Sequence, residues 1–177
     1  MSQSRAAARH GASPERFIRL DADGRLETRP IKGTRRRGAA PEADAALAAE
    51  LAASAKDRAE NLMITDLLRN DLGRCAVIGS VRANRHLFVE SFARVHHLVS
   101  EITARLRPDL GAADVLRAAF PGGSVTGPPK VRAMEIIAEL EAAPRGPYCG
   151  SVFWMGADGA MDSNIVIRSL AFPRTRS

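Results

Sequence analysis

Lys32 stands in PIKGT, Pro30 to Thr34, and is one of three lysines in a chain that carries 23 arginines. A lysine becomes a nucleophile when desolvation or nearby cations depress its pKa. Arg29 and Arg35 to Arg37 are close in sequence, and Gly33 is small enough to let another group approach. The plainer reading is an exposed loop lysine with no chemistry. Asp57 and Glu60 lie three apart in a helical run, with Asn61 and Ile64 beside them, so both carboxylates can project toward a common point. Mg2+ takes hard oxygen ligands and often only one or two carboxylates, with substrate and water completing its shell. The same pair also reads as a solvated face partnered by Lys56 and Arg58.

PGGSVTGPPK, Pro121 to Lys130, is too rich in glycine and proline for regular structure, and it leads into a helix N-terminus. Free N–H groups in such a turn can bind a carboxylate or phosphate, although the G-K-[ST] ending of a Walker loop is missing. A tight loop without a ligand fits equally. His96 and His97 fall in a strand-like run, one facing each way, as proton-transfer groups or hydrogen-bonded core residues. Arg168 interrupts the apolar run IVIRSL, where a guanidinium needs an anion, either a substrate carboxylate or a structural Glu.

These residues need a scaffold, and the sequence predicts one of segregated strands and helices, an α+β class. Strands at Arg16 to Leu20 and Leu26 to Thr28 flank the turn sequence Asp21 to Gly24. A Gly- and Arg-rich loop is expected from Gly33 to Pro41. One long helix is expected from Glu42 to Asn70, with Leu47, Leu51, Leu62, Leu67 and Leu68 at near-helical spacing. Three short strands follow, Cys75 to Val81, Leu87 to Phe92 and Val95 to Leu106, and then a helix from Ala112 to Phe120. A second helix at Val131 to Leu140 precedes two last strands, Tyr148 to Met155 and Asp162 to Phe172, joined by a turn at Asp158-Gly159.

Composition narrows the function classes. At 177 residues and 45% hydrophobic content the chain has material for one core. The net charge of +6 comes from the first forty residues, ten basic against four acidic, since the remainder holds sixteen of each. No aromatics interleave with those arginines, which argues against nucleic acid. No apolar run approaches the roughly 18 residues of a membrane span, and the N-terminus lacks the apolar core of a secretory signal. A cytoplasmic location without membrane contact is expected, with Cys75 and Cys149 as free thiols.

Six segments together carry a resemblance. SPERF at Ser13 to Phe17, PIKGT, SAKDRAENLMITDLLRNDLGR at Ser54 to Arg74, VHHLVS at Val95 to Ser100, AAFPGGSVTGPPKVRAMEII at Ala118 to Ile137 and MDSNIVIR at Met161 to Arg168 stand in one order. In that order they resemble the chorismate-utilising enzyme family, and the match runs from Ser13 to about Leu170.

The resemblance implies antiparallel sheets with flanking helices. It places an unstructured arm at residues 1–12, part of a chorismate-binding catalytic domain at 13–172 and a tail at 173–177. Lys32 points to the aminodeoxychorismate synthase branch, because anthranilate synthases usually carry Ala there. In that branch the lysine attacks the chorismate ring as the C4 hydroxyl leaves, and ammonia from a glutamine amidotransferase subunit then yields 4-amino-4-deoxychorismate for para-aminobenzoate and folate biosynthesis. By the same resemblance Glu15 is the general acid for the departing hydroxyl and His97 an active-site histidine. Gly123, Ser124, Tyr148 and Arg168 line the substrate pocket. Glu60 ligates Mg2+, with Asp57 in support. Family domains begin before SPERF and continue past MDSNIVIR into a helix bearing a further metal-ligating glutamate and a substrate lysine. The expectation is therefore a partial active site, with an inactive remnant or an anthranilate synthase component I as the alternatives, and exposed sheet edges.

Overall fold

A computed structural model describes residues 8–172, with side chains from 12 to 170. Met1 to Ala7 of the expected arm and the expected tail at 173–177 lie outside the described residues. Elements follow in the order β1 (Ala8–Gly11), β2 (Arg16–Leu20), β3 (Arg25–Thr28), β4 (Ile31–Arg36), α1 (Pro41–Ala53), α2 (Ala55–Gly73), β5 (Arg82–Ser91) and β6 (Val95–Arg105). Then come α3 (Ala112–Ala119), α4 (Gly123–Thr126), α5 (Lys130–Leu140), β7 (Ser151–Met155), β8 (Met161–Ile165) and β9 (Ser169–Phe172). Mixed helices and antiparallel strands make the class α+β, as the segregated periodicities predict. Ala8–Gly11, expected within an unstructured arm, instead pairs antiparallel with β9.

The long strand β6 organises the main sheet. On one edge it carries β5, and on the other it carries β3 against Ile102 to Arg105 and β4 against Val95 to Val99. β3 and β4 therefore lie end to end along one edge, interrupted at Arg29 and Pro30. Beyond β3 the sheet continues through β2 and β8 to β7. The β2–β3 turn is the expected one, with Gly24 at φ +86 and its N–H donating to the Asp21 carbonyl at 2.9 Å.

Gly33 to Arg36, expected as the start of a Gly- and Arg-rich loop running to Pro41, belong instead to β4. Pairing of Ile31, Thr34 and Arg35 with Val99, His97 and His96 overrides weak local propensity. The expected long helix is two helices. Ser54, extended at φ −62 and ψ 107, ends α1 and caps α2 by accepting the Asp57 N–H at 3.3 Å. The buried stripe of α2 is Asn61, Ile64, Thr65, Leu68, Asp71 and Leu72, at helical spacing with three polar members. Leu62, one of the leucines at near-helical spacing, is 52% exposed.

Cys75 to Val81 is not a strand, and Ala76 contributes only an isolated bridge to Leu106. The Pro121 to Lys130 loop contains one helical turn, α4, where no regular structure was expected. The last expected strand is broken between β8 and β9, with Arg168 at φ +40. The first of the closing pair begins at Ser151, so Tyr148 precedes it. Gly156 and Ala160 close the β7–β8 hairpin through Asp158 and Gly159 as predicted. The core packs Phe17, Ile18, Leu26, Ile102, Met161 and Ile165 of the sheet against Ile64, Leu68 and Leu72 of α2 and Val115 of α3. Among the described residues no helix is long and apolar enough to cross a membrane.

Candidate functional site

Lys32 owes its place to a bulge. Ile31 pairs with Val99 and Thr34 with His97, so Lys32 and Gly33 together oppose Leu98. Gly33 adopts φ +84, and a Cβ there would stand 2.8 Å from the Asp57 side chain. The group that the glycine admits is thus Asp57 of α2. The handover from β3 to β4, just ahead of Lys32, is held by one buried amide. Asn61 Nδ2 donates to the carbonyls of Pro30 at 3.4 Å and Leu98 at 3.2 Å. Its Oδ1 accepts from the hydroxyls of Ser100 at 2.5 Å and Thr65 at 3.3 Å.

Glu15 immediately precedes β2. It lines a small cleft with Thr28, Leu68, Gly122, Gly123 and Ser124. Burial pushes its carboxyl above the ordinary value, while the Ser124 hydroxyl and the charges of Lys32 and Arg168 pull it back. His97 is half-buried on β6 and shares a 2.8 Å hydrogen bond between Nδ1 and the Thr34 hydroxyl. Burial lowers its pKa, the positive charge of Arg168 lowers it further, and Glu90 opposes both. Arg168 therefore acts on Glu15 and on His97, and its left-handed backbone is a strained conformation of the kind that clusters at functional sites. Glu15, Lys32, His97, Ser124 and Arg168 are electrostatically linked: a carboxyl raised by burial, an imidazole lowered by burial, an amine and a guanidinium, with Gly123 beside Glu15 in the cleft.

His96 belongs to a different network. Its ring nitrogens meet the Ser91 hydroxyl at 2.8 Å and Asp44 at 2.9 Å, and Asp44 also takes Arg37 and the Gly38 N–H. These donors hold the Asp44 carboxyl far below the usual carboxylate range. This histidine ties α1 to the β5–β6 hairpin and is the hydrogen-bonded core member of the pair.

Tyr148 is not brought to the cleft. It is 58% exposed and lines a separate groove with Ser13, Pro147, Val152 and Asn164. Asp57 accepts from Arg35 at 3.1 Å, whereas Glu60 is half-exposed with Lys56 at 3.9 Å. Among the described residues no three His, Cys, Asp or Glu side chains cluster as metal ligands. Glu60, half-exposed and weakly paired, fits as a carboxylate of a Mg2+ shell completed by substrate and water, while Asp57 is engaged by Arg35. Sequence reasoning passed over Asn61, Thr34 and the pair formed by Asp71 and Lys130. The scarcity of lysine was the available signal for Lys130.

A family model described as chorismate binding enzyme matches residues 2–177. The chain belongs to this family. Among chorismate binding enzymes it is 61% identical over 158 residues to aminodeoxychorismate synthase component 1 of Klebsiella aerogenes, covering 89% of this chain and 35% of that one. It is 58% identical over 159 residues to the aminodeoxychorismate synthase of Streptomyces griseus, covering 90% of this chain and 22% of that relative. The crystal structure of anthranilate synthase component I from Streptococcus pneumoniae TIGR4 superposes with a TM-score of 0.80 at 39% identity, covering 95% of this chain and 38% of that one. The chain thus spans between 22% and 35% of the length of these two curated relatives.

Proposed function

We propose that this chain carries the lysine half of an aminodeoxychorismate synthase component I active site, acting in the cytoplasm on chorismate with ammonia from a glutamine amidotransferase partner. The observation that supports it is the bulge at Lys32 and Gly33, which sets an amine into the field of Glu15 beside Ser124 and Arg168. In this reading the Lys32 amine nitrogen forms a C–N bond to the ring as the C4–O bond breaks. Glu15, kept protonated longer by its burial, gives its proton to the departing hydroxyl, which leaves as water. Ammonia then bonds at C4 as the bond to Lys32 breaks, and Glu15 recovers a proton from the ammonium so formed at C4. Arg168 and the N–H groups around Gly123 and Ser124 would hold the substrate carboxylates. Mg2+ on Glu60 would neutralise one carboxylate of the dianion.

The test is incubation of the folded chain with chorismate, ammonium and Mg2+, with product followed by mass spectrometry. The expected result is 4-amino-4-deoxychorismate that disappears in Lys32→Ala; a folded chain that gives none sinks the proposal. A second reading is a chain that binds the dianion without turning it over. The engagement of Asp57 by Arg35, which leaves Glu60 as a lone carboxylate, favours it. Calorimetry showing chorismate binding without turnover would support that reading, and turnover would end it.

A further inference from the structure

We propose that Lys130 is a positioning residue that latches the Phe120–Pro129 loop onto α2 and thereby sets Ser124 against Glu15. This deepens the reading of the cleft given above and rests on it. The loop leaves the end of α3 at Ala119 and re-enters helix at Lys130. The Lys130 ammonium donates to the Ala119 carbonyl at 2.7 Å and to Asp71 Oδ2 at 2.5 Å. One group thus closes the neck of the loop and joins it to the last turn of α2. The lysine side chain is 12% exposed and the aspartate 2%. The carbonyl it meets is one of those left without an intrahelical partner at the end of α3, where the helix dipole favours a cation.

Steric seats extend the same line of attachment. Leu67 lies one turn before Asp71 on α2, and a Cβ at Gly123 would stand 2.5 Å from Leu67 Cδ2. A Cβ at Gly122 would stand 2.5 Å from Ile165 Cδ1 at the end of β8. With glycine at both positions the loop lies close on both elements without displacing the Leu67 and Ile165 side-chain ends. The loop's own bonds, Thr126 Oγ1 to the Gly122 carbonyl at 3.1 Å and the Gly127 N–H to the Gly123 carbonyl at 2.9 Å, hold its shape. Lys130 holds its place. A compact ammonium with three donors reaches two acceptors in a buried neck, which a planar guanidinium does not, and this explains a lysine in a chain where arginine is the usual cation.

The test compares the full chain with Ser124→Ala, Lys130→Arg and the double variant Asp71→Leu with Lys130→Met. The double variant replaces the buried pair with apolar side chains of similar volume, an exchange that folds generally tolerate. Lys130→Arg keeps a charge beside Asp71 and serves if the double variant does not fold. Two readouts are followed: amide exchange along Gly122 to Gly127, and the carbon-13 titration midpoint of the Glu15 carboxyl, assigned through Glu15→Gln. Both Lys130 variants are expected to speed exchange in the loop by about tenfold or more, with α2 and β6 protected as before. They should also move the Glu15 midpoint upward, as Ser124→Ala does. Unchanged loop protection and an unmoved midpoint in the Lys130 variants, while Ser124→Ala moves it, overturn the latch alone. No movement in Ser124→Ala itself overturns the cleft on which the latch rests.

Discussion

Glu15 and Asn61 show how much a single residue's surroundings decide. The Glu15 carboxyl is raised above its ordinary value because burial outweighs the nearby hydroxyl and cations. Its folded form therefore keeps a proton that the unfolded chain has already released, so stability falls as pH rises from the ordinary carboxylate range through the raised value. Glu15→Gln should remove that slope. Melting temperatures recorded across a pH series are expected to match the parent at low pH and exceed it above the window. Asn61 serves two carbonyls and two hydroxyls from the interior of α2. Asn61→Leu removes these four bonds, leaving the Pro30 carbonyl only the Ser100 N–H, with an expected loss of about 3 kcal/mol in urea unfolding. Neither effect could be read from residue type. A glutamate before a strand and an asparagine on a helix look like surface, and only the tertiary fold makes the first half-buried and the second fully buried.

Elements explain where Lys32 points. The bulge on β4 exists because Gly33 takes a left-handed backbone beneath Asp57, and Arg35 then reaches the same carboxylate. Gly33→Ala combines backbone strain with a Cβ 2.8 Å from the Asp57 side chain. A loss of about 2 kcal/mol by denaturant titration is expected. Chorismate affinity should fall with it, since Lys32 loses its aim. The β2–β3 and β7–β8 hairpins, α3 and α5 were legible in the sequence because turn chemistry and periodicity are local signals. The break of the expected long helix at Ser54 was not, since a serine inside an alanine-rich run reads as tolerated until its hydroxyl is seen to cap Asp57. Likewise the strand character of PIKGT depends on β6 lying alongside, and no window of neighbouring residues contains that partner.

The whole molecule shows an uneven surface. β7 is a terminal strand, and Val152, Phe153, Trp154 and Met155 are each between 44% and 64% exposed on its two faces. α5 buries none of its residues, and Val131 and Leu140 are largely open to solvent. A flat apolar edge without charges is a template for pairing with another chain. Trp154→Lys should lower concentration-dependent association in sedimentation experiments while leaving the circular dichroism of the fold unchanged.

Order of motifs and local chemistry carried the family and the class of the fold, because Lys32 in PIKGT, the glycine loop and MDSNIVIR are contiguous signatures that need no neighbour to be recognised. Convergence lay beyond that reach. Glu15, Lys32, His97, Ser124 and Arg168 come from five separate segments, and whether they meet depends on the register of β4 and β6 and on how the loop is seated on α2. Asp57 makes the same point: helical spacing sets it near Glu60, but its ion pair with Arg35 depends on β4 lying beside α2, which no local pattern contains.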